Sequence, residues 1–215
     1  VFIYNWGKAE MVDNLRELGI KVVVVKGPKS IADVKENVKL IAKTLGEEDK
    51  GNLMIAKMDD KLAEIKEKVD NIKPEERKKL VLISLMTSYG GKGCTFDDIC
   101  QYAGVINGVS DAGLHNGQLL TKEMLVAINP DLLIMPVYND HNTFDIEKYN
   151  KEFLDDPALQ TLNAVKEKRF FYPREGYIYN SSQDIVFGVQ EVARAAYGEL
   201  FSQPENCHIS VAEIN

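Results

Sequence analysis

The chain is organised around residues 30–79, which read SIADVKENVKLIAKTLGEEDKGNLMIAKMDDKLAEIKEKVDNIKPEERKK. The stretch is rich in charge and poor in glycine and proline, which predicts helix for most of its length. Ser30 is suited to cap a first helix, and Gly46 is suited to end it. A second apolar stripe predicts a helix over residues 50–73, about 35 Å long at roughly 1.5 Å per residue. We interpret residues 30–79 as a rigid connector. A coiled-coil hairpin is the alternative, which the short apolar stripes disfavour.

Charge and composition limit the classes of partner. Residues 30–79 hold twelve basic and twelve acidic side chains, so this stretch is not a basic nucleic-acid face. The whole chain has 215 residues and a formal net charge of −7, which argues against DNA, RNA or anionic lipid as the main partner. No apolar run approaches the roughly 18 residues that a membrane span needs. Three cysteines, Cys94, Cys100 and Cys207, form no CxxC pair and do not fix a redox compartment.

Strand and helix patterns alternate on both sides of the connector. Residues 1–4, 8–18 and 20–25 predict a strand–helix–strand unit before it. After it, LVLISL at residues 80–85 and LLIMPV at residues 132–137 predict buried strands between helices. We therefore expect two doubly wound α/β lobes, mainly parallel, joined by a long rigid helix. The predicted divisions are an N-terminal lobe remnant at 1–29, the connector at 30–79, a C-terminal lobe at 80–201 and a tail at 202–215.

The first residues, VFIY, already lie in an apolar β pattern. We interpret this as the sign of a fragment or processed product whose N-terminal lobe is present only in part. Such a unit presents an open strand edge, and an open edge invites pairing with another chain. The sequence therefore predicts self-association through the truncated N-terminal unit.

The glycine-rich loop SYGGKGCT at residues 88–95 joins a strand to a helix. It fails the phosphate-binding pattern G-x-x-x-x-G-K-[ST], because Met86 holds the first glycine position and Gly93 follows Lys92. A ligand-contacting loop and a plain flexible turn both remain open. The histidines are scattered and show no zinc-site spacing; they are His115, His141 and His208. With no catalytic constellation, we predict neither an enzyme nor a metal or cofactor site.

Aromatic residues fall where loops leave the predicted strands. They are Trp6, Tyr89, Tyr138, Tyr177 and Tyr179. At the carboxyl ends of strands in an open α/β sheet, such side chains predict a large, flat, partly apolar binding surface. Arg174, just before the Tyr177 and Tyr179 pair, is the predicted anchor for an anionic group of the ligand.

Several segments, in this order and spacing, resemble the class III periplasmic binding proteins. These are the substrate receptors of ABC importers for cobalamin, iron-siderophores and haem. No single motif is diagnostic, but the resemblance covers nearly all of residues 1–201. The segments are KAEMVDNLRELGIKV at 8–22, the connector, TFDDICQYAG at 95–104, LTKEML at 120–125 leading to NPDLLI at 129–134, the stretch from Ala164 to Pro173, and the final helix.

The resemblance implies a two-lobed receptor that captures a metal chelate in the cleft between its lobes and delivers it to an ABC permease. The ligand would be an iron-siderophore, a corrinoid or haem, and the location extracytoplasmic, either periplasmic or lipid-anchored. The resemblance also implies that an exposed acidic residue on each lobe docks on permease arginines. Here Glu123 stands at the matching helix start.

Two other functions remain open at the level of sequence. One is a cofactor-assembly or chelatase-like enzyme subunit on a similar fold. The other is a truncated fragment that binds no ligand. The absence of a metal or acid–base cluster in the sequence disfavours the enzyme. The sequence does not distinguish the three chelates.

Overall fold

The computed structural model describes residues 1–5, 9–85, 88–137, 145–174 and 176–212. The first unit is the predicted strand–helix–strand, with β1 at Phe2–Tyr4, α1 at Ala9–Glu17 and β2 at Val23–Val25. The two strands pair in parallel, with Phe2 opposite Val23. Helix α1 fully buries only Val12, and Phe2 and Val24 remain 37% and 39% exposed. Self-association through this unit stays a prediction.

The connector consists of two helices, α2 at Ile31–Leu45 and α3 at Glu48–Val69. As predicted, the Ser30 hydroxyl caps α2 by accepting from the Asp33 amide, and Gly46 ends it with φ of 74°. The helices pack antiparallel, which is the hairpin that the short stripes disfavoured. Close approach explains the difference, since a Cβ at Gly51 would lie 2.4 Å from the Ala42 Cβ. Helix α3 alone continues to the second lobe, and its 22 residues span about 33 Å.

The second lobe contains one parallel sheet, which confirms the predicted topology. Its strand order is β4-β3-β5-β6, and each neighbouring pair is parallel. The strands are β3 at Lys79–Leu82, β4 at Ile106–Asn107, β5 at Leu132–Ile134 and β6 at Phe170–Phe171. The helices are α4 at Thr95–Tyr102, α5 at Gly108–Asp111, α6 at Lys122–Ile128, α7 at Ile146–Leu154, α8 at Asn163–Lys166 and α9 at Ile185–Tyr197. Short 3-10 turns lie at Pro74–Glu76, Pro157–Thr161 and Gly198–Phe201.

Alternate residues of the strands enter two separate apolar layers. Leu80 and Leu82 of β3 pack in one buried cluster with α3, α4 and α9. Val81 and Ile83 pack in the other, with α5, α6 and α8. Because side chains alternate across a strand, an uninterrupted apolar run is covered on both faces. The described helices include none that combines the length and apolar character of a membrane span.

The strand order places a topological switch between β3 and β5. From β3 the chain crosses through α4 to β4 on one side, and then through α5 and α6 to β5 on the other. In open α/β sheets, ligands bind at the carboxyl ends of the strands where the order reverses. The carboxyl ends of β3 and β5 are therefore where the fold positions a site.

Candidate functional site

A cavity opens at the carboxyl end of β3, on the switch between β3 and β5. It lies among residues of β3, the loop after it, the start of α6 and one face of α7. The lining residues that carry polar groups or rings are Ser84, Tyr89, Thr121, Lys122, Tyr149 and Phe153. Lys122 is paired with Asp156. The cavity thus combines an apolar floor with aromatic and hydroxyl groups, the usual character of a small-molecule site.

Tyrosine side chains from three distant segments lie in or beside this cavity. Tyr89 and Tyr179 lie with ring centroids 5.8 Å apart and planes inclined by 36°. The Tyr89 hydroxyl pairs with the Thr95 hydroxyl at 2.9 Å, and the Tyr179 side chain hydrogen-bonds Ser84. Tyr149 of α7 lines the same cavity. We call Tyr89, Tyr149 and Tyr179 the tyrosine cluster.

Burial raises the pKa of all three phenols in the tyrosine cluster. The cause is desolvation, which disfavours the charged phenolate. These side chains are therefore neutral over the physiological range. A neutral phenol presents an apolar ring face and one hydroxyl that donates or accepts a hydrogen bond.

The glycine-rich loop beside the cluster is braced. The Asn107 amide donates to the Gly90 carbonyl and to the Asp97 carboxylate, each at 2.9 Å. The Lys92 amide donates to the Leu114 carbonyl at 2.9 Å. A Cβ at Gly91 would lie 2.7 Å from the His115 carbonyl carbon. Of the two alternatives for residues 88–95, the contacts of residues 90–92 disfavour a plain flexible turn.

Arg174 does not stand free for an anionic ligand group. Its Nη2 donates to the Gln203 carbonyl at 3.0 Å, and its Nη1 donates to the Pro204 carbonyl. Its Nε lies 3.7 Å from the carboxylate of Glu191, which is fully buried. The structure therefore uses this guanidinium to join the tail to α9. The ligand-anchoring role of Arg174 has no support from these contacts.

The other predicted site residues divide between the cluster, the tail and undescribed positions. Tyr177 lies two positions from Tyr179. Its hydroxyl donates hydrogen bonds to tail carbonyls, and its ring centroid lies 5.7 Å from that of Phe187. Trp6 and Tyr138 lie outside the described residues, so their ligand-binding role stays a prediction. Sequence reasoning missed Ser84 and Tyr149. Tyr149 and Phe153 stand four positions apart, which places both on one face of a helix, and their ring centroids lie 6.3 Å apart. That spacing was the sequence signal by which Tyr149 could have been found.

Glu123 is exposed in the first turn of α6. Its own backbone amide and the Thr121 hydroxyl lower the pKa of its carboxyl, which keeps it ionised. No ion pair joins it to another described residue. Within the described ranges, no group of three His, Cys, Asp or Glu side chains is arranged to hold a metal ion. His115 and His208 are described and His141 is not.

A sequence profile described as "Periplasmic binding protein" matches residues 3–175. The chain belongs to this family. Membership in the periplasmic binding proteins indicates an extracytoplasmic location, as predicted.

A similar relative is a Bacillus subtilis (strain 168) protein described as the uncharacterized ABC transporter substrate-binding lipoprotein YvrC. It is 25% identical over 201 residues, which cover 91% of this chain and 60% of the relative. This chain therefore spans less than two thirds of that protein's length.

Two solved structures show the same fold. The periplasmic heme-binding protein RhuT from Roseiflexus sp. RS-1 in apo form superposes with a TM-score of 0.78 at 19% identity, covering 92% of this chain and 74% of that one. A possible iron-binding (periplasmic solute-binding) protein from Staphylococcus epidermidis ATCC 12228 gives a TM-score of 0.74 at 19% identity, covering 91% and 75%. These likenesses confirm the two-lobed α/β fold that the sequence predicted.

Proposed function

We propose that this chain is the substrate-binding component of an ABC importer, which captures a metal chelate and delivers it to a permease. Family membership supports the receptor role. The observation that carries the ligand assignment is the tyrosine cluster at the switch between β3 and β5. The proposal assigns the chain no enzymatic step.

The chemistry of the tyrosine cluster suits a chelate better than a bare ion. Neutral phenols in an apolar cavity are poor ligands for a hydrated cation, which prefers charged or carbonyl oxygens. They suit the apolar edge of an organic ligand, which packs on ring surface and accepts hydroxyl hydrogen bonds. The heme-binding and iron-binding descriptions of the two solved structures favour an iron chelate, either haem or an iron-siderophore, over a corrinoid.

We also propose that Glu123 docks on the permease. An exposed carboxylate that stays ionised is suited to a charge-assisted, bidentate bond with an arginine of the partner. Exposed apolar residues flank it in sequence, with Leu119 at 56% exposure and Met124 at 41%. Protein interfaces combine apolar contacts with polar ones, and these neighbouring side chains supply both.

Absorbance titrations with haemin, ferric desferrioxamine and cyanocobalamin test the ligand assignment. We expect one iron chelate to bind, and Tyr179→Ala to weaken it about tenfold or more, a loss of about 1.4 kcal/mol. Tyr102→Ala is the control, because Tyr102 is an exposed tyrosine on α4 that belongs neither to the cavity lining nor to the tyrosine cluster. Failure of all three chelates to bind, or equal losses in both variants, would contradict the proposal.

A further inference from the structure

The tail continues past the last helical turn and packs on the lobe. Residues 203–210, here called the tail strap, first meet the loop between β6 and α9. The Tyr177 hydroxyl lies 2.9 Å from the Cys207 carbonyl and 3.2 Å from the Glu205 carbonyl, and it donates to both. Tyr177 is only 8% exposed, and its hydroxyl bonds to the strap are partly buried. The strap thus holds one side of the loop through its own backbone.

The far end of the strap holds the other side of the same loop. The His208 Nδ1 lies 2.7 Å from one Asp184 carboxylate oxygen, and the Ile209 amide donates to the other at 2.9 Å. The Ile209 side chain is buried in the core. Lys57 of α3 donates to the Ser210 carbonyl at 2.7 Å. The strap therefore joins residues 177–184 to the connector helix.

The loop that the strap holds is the one that supplies Tyr179 to the tyrosine cluster, where it contacts the cavity residues Tyr89 and Ser84. Three consecutive residues fix it: Tyr177 bonds the strap, Ile178 is 1% exposed in the core, and Tyr179 bonds Ser84 beside Tyr89. A shift of Tyr177 moves Tyr179 directly, because only one buried residue separates them.

We propose that the tail strap is a positioning element for ligand binding, and that Tyr177 and Asp184 are positioning residues that hold Tyr179 against Tyr89. This inference rests on the proposed function, since it concerns the same cavity. The geometry of a binding site is most precise when supporting contacts hold its side chains in place. Loss of a strap contact should therefore loosen residues 176–184 and weaken the ligand without unfolding the lobe.

Tyr177→Phe tests this, because it removes only the hydroxyl and keeps the ring against Phe187. The matched control is Tyr197→Phe, which removes a phenol–carbonyl bond of 2.6 Å to Gly104, away from the strap. The first readout is hydrogen exchange of the amides of residues 176–184 in the ligand-free protein. We expect exchange there to rise about five- to tenfold in Tyr177→Phe and not in Tyr197→Phe.

The second readout is the affinity for whichever of haemin, ferric desferrioxamine and cyanocobalamin the wild type binds. We expect Tyr177→Phe to weaken it at least about threefold, and Tyr197→Phe to leave it unchanged. Unchanged exchange in residues 176–184, or equal losses of affinity in both variants, would overturn the proposal. If the wild type binds none of the three, the proposed function fails, and the exchange readout alone still decides whether the strap holds the loop.

Asp184 provides a second variant if Tyr177→Phe does not fold. It is the N-cap residue of α9, but its side chain makes no cap bond, so Asp184→Ala removes the strap contacts without removing a cap. His208→Ala removes a side chain that is 58% exposed and carries little folding risk. Both should raise exchange in residues 176–184, with the larger rise in Asp184→Ala. Wild-type exchange in both would count against the strap.

Discussion

Tyr89 and Tyr179 stand ninety positions apart in the sequence, yet their ring centroids lie 5.8 Å apart at the carboxyl end of the sheet. Tyr89 comes from the loop after the first strand of the lobe, and Tyr179 from the loop after the last. The pair therefore forms only when the whole lobe is folded. We therefore expect contacts far from the pair to affect its geometry.

Gly188→Ala should destabilise the lobe. Alanine normally stabilises a helix relative to glycine by about 0.5–1 kcal/mol. At Gly188, however, a Cβ would lie 2.5 Å from the Tyr177 carbonyl oxygen, so α9 or the loop must shift. We expect a loss of about 1–3 kcal/mol in the free energy of unfolding, measured by urea denaturation. A gain of stability would show that the close approach of α9 to Tyr177 is wrong.

Asn107→Ala should destabilise the glycine-rich loop. It removes the bonds to Gly90 and Asp97 and leaves the buried Asp97 carboxylate short of a donor. It also removes the Asn107 cap of α5, which accepts from the Val109 and Ser110 amides. We expect a loss of about 2–3 kcal/mol in the free energy of unfolding. Asn71→Ala is the control, because its amide makes one exposed bond to the Glu67 carbonyl. Similar losses in the two variants would mean that the buried bonds do not brace the loop.

Stability should fall in alkali because the cluster phenols are buried. Burial raises the pKa of Tyr89 above the unfolded value of about 10. The folded protein then keeps a proton that the unfolded chain releases. The contribution is fully present below about pH 10 and is lost as pH rises further. Urea denaturation at about pH 8 and about pH 10.5 should show a smaller fall in Tyr89→Phe than in wild type. Equal falls would refute a buried, neutral Tyr89.

Glu123→Arg should reduce uptake in a reconstituted importer by about tenfold or more while leaving chelate affinity unchanged. The reversed charge repels an arginine at the docking surface, whereas Glu123 itself does not line the cavity. Glu152→Arg is the control, since Glu152 is an exposed carboxylate on α7. Uptake by Glu123→Arg at the wild-type rate would show that Glu123 has no docking role and is only a residue at the start of a helix.

Hydrophobic periodicity predicted the helices, because each has a local apolar stripe. It predicted the parallel sheet, because strands that are buried on both faces read as uninterrupted apolar runs. The apolar stripes did not reveal that α2 folds back on α3, because that packing depends on the close contact of Gly51 with Ala42. Tertiary packing also decides the site. Tyr177 and Tyr179 have the same chemistry and neighbouring positions, yet one bonds the tail and the other bonds Ser84. The tail has no periodicity, so its contacts had no signal in the sequence.

The most direct test of the central claim is the pattern of hydrogen exchange with and without a bound iron chelate. Haemin and ferric desferrioxamine are the two probes. A chelate held by the tyrosine cluster should slow amide exchange in residues 88–94 and 176–181 together, because both loops supply cluster side chains or their immediate neighbours. Protection of both segments is the result that this account predicts. Binding that protects neither segment would contradict it.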